Sequence, residues 1–450
     1  LSKSDIISIY DKSPKIAVLE STFAARQKSQ MTGLVGSSLS FVANSLFKKS
    51  ELPFLILFSN KEEAAYYLND LEQLINTEDV LFYPSSYRRP YQIEETDNAN
   101  VLLRAEVLNR INSRKKPAII VSYAEAIFEK VVTRKELEKN TLKLSVGDNL
   151  SIDFINETLF EYNFKRVDFV TEPGEFSVRG GIIDVFSFSN DNPYRIEFFG
   201  NEVDSIRSFD VETQLSVEKL KKISIIPNVE NKLLQENRES FLDYINEKTV
   251  LVIQNTELLG QQLDKLFDKA NEAFEKLSKD IQHTKPEELF LNQKQFLKRA
   301  LDFSVIELHA NAVFKIDKKV EFHIQPQPSF NKQFDLLLNN LSENHFNGYK
   351  NYLCCSNENQ ASRFHDIFED IDEANHESIR KQYKTMVLPL FEGFIDEENQ
   401  IACYTDHQIF ERYHKFSIKN GYSKKQTITL KELTSLSVGD YVTHIDHGIG

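Results

Sequence analysis

The chain has 450 residues, a length that suggests about three domains at ~150 residues each. Apolar residues at 41% and charged residues at 27% can build a core in every domain, which excludes a disordered or fibrous chain. Acidic residues outnumber basic ones, 68 to 54, for a formal charge of −14, and that balance argues against a chain-wide nucleic-acid groove.

In chain order, an amphipathic start (3–30) leads to the strand-like LPFLILFS (52–59) and the helical EEAAYYLNDLEQLI (62–75). The strand DVLFYP (79–84), the helical NANVLLRAEVLNRI (98–111) and the strand PAIIVSY (117–123) follow. Apolar strands separated by helices predict a parallel α/β sheet. From about 134 to 226 the pattern becomes one helix (FINETLFEYNF) and four short alternating strands with tight turns, KRVDFVTE, EFSVRGGIIDVFSF, YRIEFFG and EVDSIRSFD, an antiparallel α+β module. The α/β pattern then returns with TVLVIQN (249–255), long charged helices over 257–302, and strands such as NYLCCS and QIACYTD between 320 and 420. The linker KNGYSKKQ precedes a last strand-like run, VGDYVTHIDHGIG; with Leu at position 1, this predicts a piece of a longer polypeptide.

Residues 33–40 read Gly33-Leu34-Val35-Gly36-Ser37-Ser38-Leu39-Ser40 before the helical FVANSLF. On the phosphate-loop template G-x-x-x-x-G-K-[ST], Gly33 matches the first glycine and Ser40 keeps the hydroxyl. Ser38 replaces the second glycine, and Leu39 replaces the lysine that neutralises the β/γ-phosphates. A G-x-x-G before a helix also serves as an ordinary turn, and that reading stays open. After the strand Val250–Ile253, Gln254 and Asn255 put neutral amides where a motor ATPase needs carboxylates for Mg²⁺. Gly33, Gly36, Ser38, Leu39, Ser40, Gln254 and Asn255 thus form a degenerate nucleotide site, and the segment is expected neither to bind nor to hydrolyse ATP.

Within the antiparallel module, side chains of the strand 194–199 alternate faces. Tyr194, Ile196 and Phe198 suit the core, and Arg195, Glu197 and Phe199 face away. By the same alternation Phe176 and Val178 point inward and Ser177 and Arg179 outward, so Arg179, Arg195 and Phe199 are expected to share an exposed face. A Phe among charges is what a protein-binding patch looks like. A solvated face with an incidental Phe is the plainer alternative. From Arg166 to Glu212 four arginines are outnumbered by ten carboxylates, a field that suits a protein partner and repels DNA.

The run Arg166-Val167-Asp168, then Glu172-Pro173-Gly174-Glu175-Phe176-Ser177-Val178-Arg179-Gly180-Gly181-Ile182-Ile183-Asp184-Val185-Phe186, is distinctive. With Pro193 to Val203, Ser205-Ile206-Arg207 and Phe209-Asp210 it closely resembles the UvrA-binding domain shared by the excision-repair protein UvrB and the transcription-repair coupling factor (Mfd) family. The altered loop at Leu39 departs from UvrB. So does YPSSYRRPYQIEETDNA (83–99), too short and acidic for the tyrosine-rich wedge of UvrB. GDYVTHIDHGIG resembles the start of the Mfd domain that docks on RNA polymerase, so the chain is similar to the N-terminal portion of the Mfd family.

The resemblance implies UvrA contacts at Arg179, Arg195 and Phe199, with Glu202 matching a further contact position. It implies that the complete protein displaces stalled RNA polymerase by ATP-driven DNA translocation, its motor, ATP, Mg²⁺ and DNA contacts lying past residue 450. It also implies that C-terminal parts mask the UvrA surface until polymerase is engaged. The fold class expected is α/β multidomain. A degenerate P-loop, RecA-like α/β domain (1–133 and 227–318) is interrupted by an α+β antiparallel-sheet insertion (134–226). A second α/β domain (319–430) and the truncated start of the polymerase-interacting domain (431–450) follow.

The remaining signals are weaker. Cys354, Cys355 and Cys403 are the only cysteines, which excludes a disulfide framework and a four-thiolate zinc site. The adjacent pair reads as buried small hydrophobes. His444, Asp446 and His447 do not converge on a strand, so no metal is expected there. Arg88 and Arg89 beside Tyr87 and Tyr91 resemble a single-strand contact, but their acidic flanks favour a solvated surface. Lys219, Lys221 and Lys222 read the same way. No apolar run approaches the ~18 residues of a membrane span, and no secretory signal opens the chain, so a cytoplasmic location is expected. An interaction scaffold without catalytic residues is therefore the reading preferred over a divergent UvrB-like helicase that still binds ATP and over a DNA-binding structural module.

Overall fold

Buried apolar runs with helices between them can satisfy their backbone only in a sheet covered on both sides. The computed structural model describes residues 3–86, 98–113, 116–188, 190, 192–228, 237–277, 284–371, 376–412, 443–444 and 448–449. The chain divides into two units, one of Leu1–Glu136 with Gln235–Ile418 and one of Leu137–Leu234 with Lys419–Gly450.

The first unit holds a seven-stranded sheet in which every pairing is parallel. Its strand order is Lys318–Glu321, Lys28–Thr32, Ser304–Glu307, Val250–Ile253, Phe54–Phe58, Ile119–Tyr123, Val80–Tyr83. The strands Phe54–Phe58, Ile119–Tyr123 and Val250–Ile253 are buried along their whole length. Asparagine caps start the flanking helices: Asn60 accepts from the Glu63 N–H ahead of Lys61–Leu74, and Asn292 makes a reciprocal capping box with Gln295. A five-stranded mixed sheet belongs to the same unit, in the order Ile324–Pro326, Phe394–Asp396, Ile401–Thr405, Lys350–Cys355, Tyr383–Val387. Phe364, Phe368, Leu337 and Leu341 from its helices fill the core with Leu353 and Tyr404.

The second unit is built on a six-stranded sheet ordered Ser216–Leu220, Glu202–Phe209, Tyr194–Phe199, Ile182–Val185, Glu175–Arg179, Lys165–Arg166. Only the last pairing is parallel. The run read from the sequence as one strand, EFSVRGGIIDVFSF, is a hairpin that turns at Gly180 (φ +60°) and Gly181. KRVDFVTE forms a strand only at Lys165–Arg166. The helix Ile152–Glu161 is capped by Ser151, and its Phe160 meets Phe176 of the sheet edge-on at 5.2 Å. The chain is thus mixed α/β, with a parallel sheet and several antiparallel ones.

Candidate functional site

Strand register assembles one face of the six-stranded sheet. Ser177 lies opposite Asp184, Asp184 opposite Arg195, and Arg195 opposite Arg207, one row across four strands. Phe176, Ile183, Val185, Tyr194 and Ile196 are buried on the other side. Arg179 and Arg195 therefore do project from one face.

Asp184 is the centre of that face and is almost fully buried. Arg195 forks onto it, Nε donating to Oδ1 at 2.7 Å and Nη2 to Oδ2 at 2.9 Å, and Arg179 also donates to Oδ2. A buried carboxylate is tolerable only when its charge and lone pairs are matched in this way. The hydrogen bonds that Arg195 donates to Asp184 raise its pKa above the ordinary value. Arg195 also lies 4.5 Å over the Phe209 ring, and only 18% of its side chain is exposed. Its Nη1 donates to the Gln214 carbonyl at 3.4 Å, so Arg195 is a pinned spoke, less open than alternation alone implied.

Arg179 is 41% exposed and lies 5.5 Å from the centre of the Phe169 ring. Phe169 itself is 56% exposed, and Phe199 83%. A bulge between Glu197 and Phe198 shifts the register at the strand end, and Phe199 then pairs with exposed Glu202 across the Gly200-Asn201 turn. Glu197 accepts from Ser205 at 2.6 Å and pairs with Arg207, and these contacts hold it below the usual carboxylate range. Ser177 lies on this face, as alternation has it, but is not exposed. It is buried because the preceding segment crosses it, and its hydroxyl donates to the Asp168 carbonyl at 3.0 Å. Sequence reasoning missed the organising role of Asp184 and the ring of Phe169. In the sequence Asp184 is one carboxylate among ten, and only its register with Arg195 sets it apart.

The residues of the altered loop are placed as follows. Gly33–Ser37 joins the strand Lys28–Thr32 to the helix Ser38–Ser50. Leu39 is buried in the first helical turn, as is Ser40. Ser38 Oγ donates to the Val35 carbonyl at 2.6 Å and accepts from the Val35 N–H at 3.0 Å, closing the loop on itself. Gly33 has φ +76°, and a Cβ there would lie 1.8 Å from the Phe322 carbonyl oxygen. Gln254 Oε1 accepts from Ser59 N–H and Oγ, both at 3.0 Å. Asn255 caps the helix Thr256–Glu275 by accepting from Leu258 N–H at 2.9 Å. Both amides hold structure together.

Cys354, Cys355 and Cys403 are buried, and burial pushes the Cys355 thiol pKa up. Lys219, Lys221 and Lys222 are exposed. Tyr87, Arg88, Arg89, Tyr91, Asp446 and His447 lie outside the described residues, as does most of 83–99 and of 431–450, and His444 is described only in its backbone. Among the described residues no helix is long and apolar enough to cross a membrane.

Fold and face together define a mixed α/β protein whose antiparallel module carries a sheet face of paired arginines and exposed phenylalanines. Residues 142–230 match the family described as the UvrB interaction domain. Over a wider span the chain is similar to transcription-repair-coupling factors. It is 24% identical to that of Bacillus subtilis over 93% of this chain and 41% of the relative. For the Staphylococcus epidermidis protein the figures are 22%, 100% and 44%, and for the Borreliella burgdorferi protein 23%, 93% and 39%. The chain spans about two fifths of the length of these curated relatives. The resemblance to the transcription-repair-coupling factors read from the sequence holds across most of the chain.

Proposed function

We propose that this chain is the UvrA-recruiting part of a transcription-repair-coupling factor and performs no chemistry of its own. The observation that carries the reading is the face organised by Asp184. Two arginines are aimed by one buried carboxylate, with Phe169 and Phe199 exposed beside and beyond them, inside the residues that match the UvrB interaction domain. Arginine and aromatic anchors on a stiff strand framework suit capture of a protein. UvrA contact is assigned to Arg179, Arg195, Phe199 and Glu202.

A degenerate P-loop, RecA-like identity for the seven-stranded sheet is supported by its parallel pairings and by the strand, loop and helix over 28–50. Buried Leu39 and the structural amides Gln254 and Asn255 support the absence of ATP chemistry here. In the longer protein, ATP, Mg²⁺ and DNA belong to a translocating motor in other residues. RNA polymerase is engaged by the domain that 431–450 begins.

Capture of the chain by immobilised UvrA tests the reading. Arg179→Ala or Phe199→Ala should each weaken capture about 30-fold, as a central anchor worth ~2 kcal/mol does. Wild-type capture by a well-folded variant contradicts the site, and MgATP turnover by the chain contradicts the non-catalytic half.

A further inference from the structure

The geometry points to a peptide-binding site at the position that matches the phosphate-loop template. Its ligand is this chain's own segment Leu390–Gly393, held by the loop Gly33–Ser38 and by the Tyr66–Asp70 face of the helix Lys61–Leu74.

The contacts are reciprocal and run along the backbone. Ser37 N–H donates to the Glu392 carbonyl at 3.1 Å, and Glu392 N–H donates back to Ser37 Oγ at 3.0 Å. The amide at the head of the helix Ser38–Ser50, which in a working loop would meet a phosphate oxygen, therefore meets a neutral carbonyl. Phe391 N–H donates to Asp70 Oδ1 at 2.8 Å. The Phe391 ring stacks on Tyr66 with centroids 3.8 Å apart and meets Tyr67 edge-on at 6.5 Å. Tyr67 ties this aromatic wall to the loop by donating to the Gly36 carbonyl at 3.2 Å.

Two further observations favour a peptide over phosphate as the ligand. Asp70 is buried and its Oδ1 already accepts the Phe391 N–H, so at this point the cleft presents an acceptor, which suits a peptide N–H donor and not a phosphate oxygen. Gly36, at φ +55°, is pressed by the segment itself: a Cβ there would lie 2.9 Å from the Gly393 carbonyl oxygen. The glycine serves the passage of a neighbouring backbone. The segment continues into the strand Phe394–Asp396, whose Phe394 packs on Phe41 at 5.7 Å and whose Asp396 accepts from the Tyr10 hydroxyl at 2.8 Å. The joint thus fastens the five-stranded sheet to the loop and its helix.

Hydrogen–deuterium exchange on the whole chain tests this, using Phe391→Ala and the milder Ser37→Ala. In both variants the amides of residues 37, 391 and 392 should exchange together, at least about tenfold faster, while the strands Phe54–Phe58 and Lys350–Cys355 keep their wild-type rates. In the wild type, inorganic pyrophosphate in excess should leave the exchange of residues 37–40 unchanged. Faster exchange at 390–393 with undiminished protection of residue 37 overturns the proposal. So does pyrophosphate that protects Ser37 and releases Phe391. If Phe391→Ala loses protection everywhere, the same criteria applied to Ser37→Ala decide.

Discussion

A carboxylate buried in a sheet face costs several kcal/mol unless its charge is matched, and Asp184 is matched by two guanidinium groups. Removing that charge while keeping the shape should free both arginines from their common anchor. Asp184→Asn is expected to lower stability by about 3 kcal/mol in urea unfolding and to weaken UvrA binding about tenfold where the variant is still folded. Unchanged affinity in the folded variant would show that Asp184 has only a structural role. Asp70 is a buried carboxyl of a different kind. Burial raises its pKa to about 7, partly offset by the Ser37 hydroxyl, the Phe391 N–H and the Ser40 hydroxyl, with Glu392 adding to the rise. Its folded pKa lies above the ordinary value of 3.8, so its contribution to stability is complete below that pH and is lost as pH rises through about 7. Stability should fall by up to ~1.4 kcal/mol per pH unit across that window. Tyr67 and Glu392 face the same cleft, and Glu392 is also raised by burial, so the Asp70 share is isolated by Asp70→Asn. That variant still accepts from Phe391 and should be the more stable protein at pH above about 7, with a flatter pH profile. A profile identical to wild type would show that Asp70 does not titrate in this range.

At the scale of elements, the runs FLILF, IIVSY and VLVI were legible as buried parallel strands because apolar side chains fill both of their faces. The strand Lys28–Thr32, which leads into the altered loop, was not. Its sequence KSQMT carries no strand signal, yet four of its residues are buried. Gln30 donates to the carbonyls of His309 and Ala310 at 3.0 and 2.7 Å, and Lys28 Nζ donates to Leu301 O at 2.9 Å. Its polar groups are satisfied by residues more than 270 positions away, which no local pattern reports. The amphipathic start likewise resolves into helices Lys3–Asp11 and Pro14–Glu20, the second opened by Pro14 at its first turn. The helix Asn98–Ser113 hides a second tertiary feature. Arg104 is fully buried, pairs with Glu129 at 3.3 Å and lies 4.4 Å from the Tyr83 ring centre. Arg104→Ala leaves Glu129 charged and enclosed, and should cost about 3–5 kcal/mol in denaturant unfolding. A loss below 1 kcal/mol, roughly that of an exposed pair, would contradict the assignment.

For the molecule as a whole, the resemblance to the transcription-repair-coupling factors was legible because the antiparallel module carries a long ordered motif, and the shared face of Arg179 and Arg195 followed from strand alternation. Less legible was how that face is held, since the pairing of Asp184 with Arg179 and Arg195 depends on register between strands. The formal charge of −14 and the carboxylate excess around the face argue for a protein partner throughout. The most direct measurement is a titration of UvrA with the wild-type chain and with the Arg179→Ala/Phe199→Ala double variant, each checked by thermal unfolding. The account expects the variant to melt within a few degrees of wild type and to lose UvrA affinity by about two orders of magnitude or more. Equal affinity in an equally stable variant would contradict it.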